Sequence, residues 1–351
     1  MIVTVLREWY LIHRRDLPWR ETNKPYLIWV SEVILQQTRV DQGLAYYMRF
    51  VEKFPTVFDL ANANEDLVMK MWEGLGYYRR ATNMLVTAKH IVDDFDGVFP
   101  GTYSELIKLK GIGPYIGAAV ASFAYKEKVP VLDGNVYRLI TRLFDIESPI
   151  NRAIGKKMVQ SALNELIPSN QPDIFNQSLM EFGALQCVKY PKCEICVLQT
   201  HCLAFCNKNQ MNRPVKLSAP KVRCRYFNFI VFRYEKQFLI RKRGDGDIWA
   251  QLFEFPFIES SQKCLQQTEI DVHIKQIFPN VDYFLIDSFV PSVHKLTHQS
   301  IYSTFFIIDL LMKPDKIASE QGVWVLPEDL IDYAFPRLIT ANFNRIFSSF
   351  R

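Results

Sequence analysis

The spacing of apolar residues changes near Arg225. Before it, apolar positions recur every three or four residues. Val3 to His13 reads as a short amphipathic helix and a second helix begins near Pro25. Pro114 to Tyr125 has the small-residue, apolar look of a packed helix, and Val136, Leu139, Ile140 and Leu143 mark another. Pro149 to Pro168 extends the series, and Phe175 to Leu185 leads into a group of cysteines. After Arg225, YFNFIVFRY and QFLIRKR alternate as strands around a hairpin at Glu235-Lys236. More strands follow near Tyr283 to Phe289 and Ile301 to Leu310, and a helix closes the chain from Ile339. Between the two patterns, Asn207 to Arg225 carries six Lys or Arg, two prolines and no acid, without periodicity, which is the signature of a linker. The chain therefore predicts a multidomain protein: an all-α domain over residues 1–206, a basic linker over 207–223, and a smaller α+β domain over 224–351.

Two carboxylates stand out against this pattern. Glu32 lies mid-helix with Ile28, Trp29 and Leu35 as one-turn neighbours, and Gln36 is the only polar one. An unpaired buried Glu is costly, and desolvation raises its pKa toward the range where it can hold and donate a proton near neutral pH. Pairing with a distant Arg or Lys is the competing expectation. Asp133, before Gly134 and the helical series from Val136, sits at or beside an N-cap, where N–H groups and the helix dipole would hold its carboxylate ionised. Capping alone would also account for it.

Ahead of Asp133, Leu106 and Leu109 close a helix, and Gly111-Ile112-Gly113 makes a tight turn before Pro114. Gly111 and Gly113 allow close backbone approach, and the helix that follows offers unpaired N–H groups, a place for a phosphate. An ordinary helical corner is equally consistent with Gly-x-Gly. Trp72-Glu73-Gly74-Leu75-Gly76-Tyr77-Tyr78-Arg79-Arg80 suits either a loop that wedges into a base stack or a helix-helix corner. Cys187, Cys193, Cys196 and Cys202, with gaps of five, two and five residues, favour a 4Fe-4S site over a zinc ribbon, which needs two close knuckles. Cys206 is near enough to compete as a ligand.

The run LKGIGPY followed by VPVLDGNVYR resembles the helix-hairpin-helix DNA glycosylase superfamily, and within it the adenine DNA glycosylases of the MutY family. SEVILQQTRV and WAQLFEFP are similar to the same family. The resemblance implies a helix-hairpin-helix motif over about 105–125, an iron-sulfur module over about 187–206, and a Nudix-like C-terminal domain. It implies Glu32 as general acid and Asp133 as the group that stabilises the cationic sugar, with Tyr115 and Asn135 positioning them. Tyr115 stands where bifunctional relatives carry a Schiff-base lysine, which implies a monofunctional enzyme. Gln37 and Tyr77 match residues that push between bases, and Arg20, Trp19 and Gln177 match pocket residues. The resemblance also implies that Gly111 and Gly113 form a DNA-gripping hairpin. Thr297 and His298 correspond to a loop that reads 8-oxoguanine, with Leu296 where Phe is usual. The implied cofactor is a 4Fe-4S cluster on Cys187, Cys193, Cys196 and Cys202, although the first gap is one residue shorter than is usual in the family. Lys189 and Lys192 lie in the intervening loop, placed to meet phosphates. The implied substrate is double-stranded DNA with adenine opposite 8-oxoguanine or guanine, bound by a monomer.

Composition bounds these readings. Hydrophobic residues make up 49% of the chain and exclude wholesale disorder; a net charge of +5 is compatible with a polyanionic partner without demanding one. The longest uncharged stretch, Gly111 to Tyr125, is shorter than the roughly 20 residues of a membrane span, and no secretory signal is evident, so a cytoplasmic protein is expected, nucleoid-associated if bacterial. An endonuclease III-type lyase would need a lysine at position 115 and lacks the second domain. A non-catalytic damage-binding protein would not need both Glu32 and Asp133. Nudix hydrolysis is excluded: after Gly322 and Glu328 comes Phe335-Pro336-Arg337-Leu338 where a metal-binding acidic cluster would stand.

Overall fold

A computed structural model describes residues 1–217, 222–263, 265–314 and 322–348. The chain divides into two compact units, Met1–Ala63 with Asn83–Ser218, and Asn64–Thr82 with Ala219–Arg351.

The first unit is helical. Leu6, Trp9 and Tyr10 of the helix Ile2–His13 meet Val136, Leu139, Ile140 and Leu143 of the helix Gly134–Leu143 and Phe175, Leu179 and Phe182 of the helix Pro172–Leu185. Burying three apolar stripes together is what orders helices this short, since propensity alone leaves them marginal. The helix Pro25–Ile34 packs on Pro114–Tyr125, whose Gly117, Ala118, Ala119 and Ala121 permit close approach; a Cβ on Gly117 would come within 2.7 Å of Ile107. The stretch expected to be a free basic linker begins attached to this unit. Arg213 is buried in ion pairs with Asp145 (2.8 Å) and Glu147 (2.7 Å), and Ile150 N–H donates to Val215 O.

The second unit is built on a mixed sheet of β1 (Arg223–Tyr234), β2 (Gln237–Lys242), β3 (Phe253–Glu254), β4 (Phe257–Ser260), β5 (Tyr283–Phe289), β6 (His294–Lys295), β7 (Gln299–Leu310) and β8 (Gly322–Val325). The main order is β3-β2-β1-β7-β5, with β4 on β1, β6 on β7 and β8 on β2. β1 and β2 form the expected hairpin, in register Tyr234↔Gln237, and β1 runs parallel to β7 along its length. Alternation along β1 sends Phe227, Phe229 and Val231 to a core closed by Phe335, Leu338, Ile339 and Ile346, and sends Ile230 and Phe232 to the opposite face, under Ile270 and Ile274 of the helix Gln267–Ile277.

Asn64–Thr82, placed by its position in sequence within the first domain, packs in this second unit. Glu73 accepts from Phe335 N–H at 3.0 Å and from Lys70 Nζ at 2.6 Å; Lys70 Nζ also donates to Tyr333 O, and Lys242 pairs with Asp66 at 2.6 Å.

Candidate active site

A cavity of about 200 Å³ in the helical unit gathers residues from five separate parts of the chain, including Trp19, Arg20, Glu32, Tyr115, Asp133, Asn135 and Gln177. Every catalytic and pocket residue expected from the sequence is therefore at one place.

Glu32 is 4% exposed, held by the apolar surround of its helix. Burial pushes its carboxyl up to about 7; the Tyr115 hydroxyl, which donates to Oε2, pulls the other way, the neighbouring Asp133 adds to the rise, and Arg20 opposes it. Tyr115 reaches Glu32 because it lies in the first turn of Pro114–Tyr125, directly after the glycine turn. In that turn Gly111 has φ +79°, and a Cβ there would meet Asn83 at 2.6 Å. Gly113 caps the helix, and a Cβ on it would touch nothing, so the helix start is open to a ligand.

Asp133 caps the helix Gly134–Leu143, Oδ1 accepting from Val136 N–H at 2.6 Å and Oδ2 from Asn135 Nδ2 at 2.8 Å. The cap was expected to dominate its titration. Instead burial raises the Asp133 pKa above its ordinary value, and the hydrogen bonds from Val136 and Asn135 and the charge of Arg138 recover only part of the rise. Asn135 is itself held: Arg138 donates to its Oδ1 at 2.9 Å and to Gly183 O at 2.6 Å. A Cβ on Gly183 would lie 2.9 Å from Asn135, so this approach depends on glycine.

The far wall holds a constellation that the sequence reading did not find. Glu181, 1% exposed, accepts from Arg15 N–H, Nε and Nη2 at 2.9, 2.8 and 2.7 Å and from Arg20 Nη1 and Nη2 at 3.0 and 2.7 Å. Burial pushes the Glu181 carboxyl up, but the two arginines outweigh it and hold it at about 2. This fixed anion aims Arg20 at the cavity. Trp19 is buried edge-on against Tyr47, with ring centres 5.0 Å apart.

Two family patterns match the chain: the HhH-GPD superfamily base excision DNA repair protein over residues 30–169, and a NUDIX domain over residues 228–344. An adenine DNA glycosylase of Buchnera aphidicola subsp. Schizaphis graminum is 33% identical over 95% of this chain and 95% of its own length. The chain belongs to the adenine DNA glycosylase family. An adenine DNA glycosylase of Arabidopsis thaliana is 36% identical, covering 78% of this chain and 50% of the relative. Among solved structures, a thermostable thymine-DNA glycosylase aligns with 28% identity and a TM-score of 0.55, over 59% of this chain and 95% of that one. The protein is thus a DNA glycosylase, an enzyme that hydrolyses N-glycosidic bonds.

The remaining expected residues of the glycosylase lie outside the cavity. Cys187, Cys193, Cys196 and Cys202 line a second, apolar cavity with Leu139 and Phe182, while Cys206 is exposed and outside it. Arg142, 3% exposed, ties this region to the helix Gly134–Leu143 by donating to Val188 O at 2.6 Å, Lys189 O at 3.1 Å and Cys187 Sγ at 3.4 Å. Arg138 Nε donates to Cys187 O at 2.7 Å, so the side chain that orients Asn135 also anchors the first cysteine. Gln37 is exposed in the turn after the helix Pro25–Ile34, at φ +60°. Tyr77 is 47% exposed at φ +45°, its loop held by Arg80, which donates to Leu75 O and Gly76 O at 3.3 Å. The Tyr77 hydroxyl meets Thr297 Oγ1, and Thr297 and His298 lie exposed in the turn between β6 and β7. Leu296, beside them, is half-buried and packs against the sheet core. An aliphatic side chain gains more from that burial than from water.

Proposed function

We propose that this glycosylase excises adenine mispaired with 8-oxoguanine or guanine in double-stranded DNA, leaving an abasic site in an intact strand. The observation that carries the reading is the pair of carboxyls lining one cavity in unlike surroundings. Glu32, raised to about 7 in an apolar surround, is protonated in a large share of molecules at neutral pH, where an ordinary carboxyl is ionised. Asp133, although burial raises it too, has the Val136 and Asn135 donors and the charge of Arg138 to favour its anion, which Glu32 has not. A flipped base enters the cavity after unstacking, at a cost of a few kcal/mol that a mispair lowers. Glu32 protonates the adenine ring and makes it a leaving group. Asp133 stabilises the positive charge that develops on the sugar, and ionised Glu32 then takes a proton from the attacking water. Tyr115 and Asn135 keep the two carboxyls aimed. Among the described residues lining the cavity there is no lysine to form a Schiff base, which supports monofunctional chemistry.

The helix start after Gly113 fits a DNA phosphate, and Gln37 and Tyr77 fit residues that enter the base stack. Thr297 and His298 offer a hydroxyl and a ring nitrogen to the opposite base, a donor and acceptor set suited to the groups that separate 8-oxoguanine from guanine. Four thiols around one cavity fit a 4Fe-4S cluster on Cys187, Cys193, Cys196 and Cys202. When bound it supplies four covalent anchors that fix residues 187–202 beside the helix that starts at Asp133.

The test is incubation with duplexes carrying adenine opposite 8-oxoguanine, opposite guanine and opposite thymine, followed by alkali. Cleavage of the first two only after alkali is expected. Untouched adenine, or strand scission without alkali together with a borohydride-trapped adduct, would overturn the reading.

A further inference from the structure

Gln177 lines the cavity from the helix Pro172–Leu185. A glutamine amide can present either its oxygen or its NH2 group, and the two recognise opposite partners. Behind it stands Tyr10, fully buried on the helix Ile2–His13 and outside the set that lines the cavity, with its hydroxyl 2.7 Å from Gln177 Oε1. The Arg20 guanidinium flanks this phenol, 5.7 Å from the ring centre. An amide oxygen can only accept, so the phenol hydrogen goes to Gln177 Oε1. The Gln177 oxygen is then taken, and the NH2 group is the end left for the cavity.

We propose that Tyr10 is a specificity-determining positioning residue, which locks the Gln177 amide as a donor toward the extruded base and so selects a base with an unprotonated ring nitrogen at that point. Nothing in Tyr10 touches the substrate; it acts through Gln177. The inference rests on the reading that the cavity takes an extruded purine. Adenine offers acceptor nitrogens around its ring, whereas a base with N–H at the contact would face a like group and leave it unpaired.

The experiment compares wild type, Tyr10→Phe, Gln177→Leu and the double variant in single-turnover excision of adenine and of its 1-deaza, 3-deaza and 7-deaza analogues opposite 8-oxoguanine. The acceptor that Gln177 meets is the one whose removal is penalised in wild type and not in Gln177→Leu. Tyr10→Phe should shrink that same penalty by about tenfold, as expected when a buried polar pair loses one partner, and should add nothing in the Gln177→Leu background. A purely structural role would lower all substrates alike and act additively with Gln177→Leu, and either result overturns the proposal. So does a panel in which Gln177→Leu removes no penalty. Thermal unfolding of the same four proteins reads the bond without any substrate: each single variant should lose a few degrees and the double no more than the larger loss. A wild type that leaves adenine in place would overturn the proposed function, while additive losses in the thermal cycle would overturn the Tyr10–Gln177 lock on its own.

Discussion

Replacing Glu32 with glutamine is expected to make the protein more stable above neutral pH while removing its activity. Burial carries the Glu32 carboxyl from 4.5 to about 7. An acid raised in this way favours the folded state most below its ordinary pKa, and the contribution is lost as pH rises through about 7. At about 1.4 kcal/mol per tenfold change in affinity for the proton, the loss by pH 8 is on the order of 3 kcal/mol. Glutamine never ionises, and its oxygen can still accept from the Tyr115 hydroxyl, so Glu32→Gln does not incur it. For a unit of this size each 1 kcal/mol moves the melting temperature by about 2–4 °C, which gives a gain of roughly 6–12 °C at pH 8 that disappears by about pH 4. Thermal unfolding by circular dichroism across pH 4 to 8.5 reads this directly. In parallel, wild-type excision should fall as pH rises through about 7, and the variant should lose about 10²- to 10⁴-fold, the usual worth of general acid catalysis. Melting curves that track one another at every pH, or a variant less stable than wild type at pH 8, would refute the account of a carboxyl held protonated by burial.

The Tyr115 hydroxyl lowers the Glu32 pKa, so Tyr115→Phe should shift the falling limb of the pH–rate profile upward, and an unchanged limb would remove Tyr115 from that role. Asp133→Asn keeps the cap geometry but not the charge; excision should be nearly abolished with mispair binding retained, as read by gel shift beside single-turnover rates. Cys202→Ser should lose bound iron and colour while Cys206→Ser keeps both, because Cys206 lies outside the cysteine cavity; metal analysis decides it. Thr297→Ala with His298→Ala should lower the preference for adenine opposite 8-oxoguanine over guanine by about tenfold to a hundredfold, measured as a ratio of kcat/KM.

Glu32 was legible because its helix is apolar on almost every side, so a single carboxylate is conspicuous. Glu181 carries the same signal, between Leu179, Phe182 and Gly183, but its partners Arg15 and Arg20 lie more than 150 residues away and nothing local pointed to them. For Asp133 the cap could be read from Asp-Gly and the helical series after it. Its titration could not, because desolvation is set by whatever distant segments close over the site. Alternation placed β1, β2, β5 and most of β7, yet a period of two is silent on partners, and the parallel pairing of β1 with β7 came only from the fold. The short strands of two to four residues escaped for want of enough periods to count, and the helix Gln267–Ile277 because it buries only Ile270 and Ile274.

The packing of Asn64–Thr82 with the C-terminal unit has a consequence for synthesis and for deletion. Chains emerge from the ribosome in order, so the helical unit can close before Phe335, Tyr333 and Lys242 exist to receive Glu73, Lys70 and Asp66. Until then the segment that carries Tyr77 lacks the partners of Asp66, Lys70, Glu73 and Tyr77. A shortened protein ending near Arg223 would be arrested in that state. It would lack the proposed reading loop at Thr297 and His298 and would also lack the partners that hold the Tyr77 loop, two losses that a single activity measurement would merge into one.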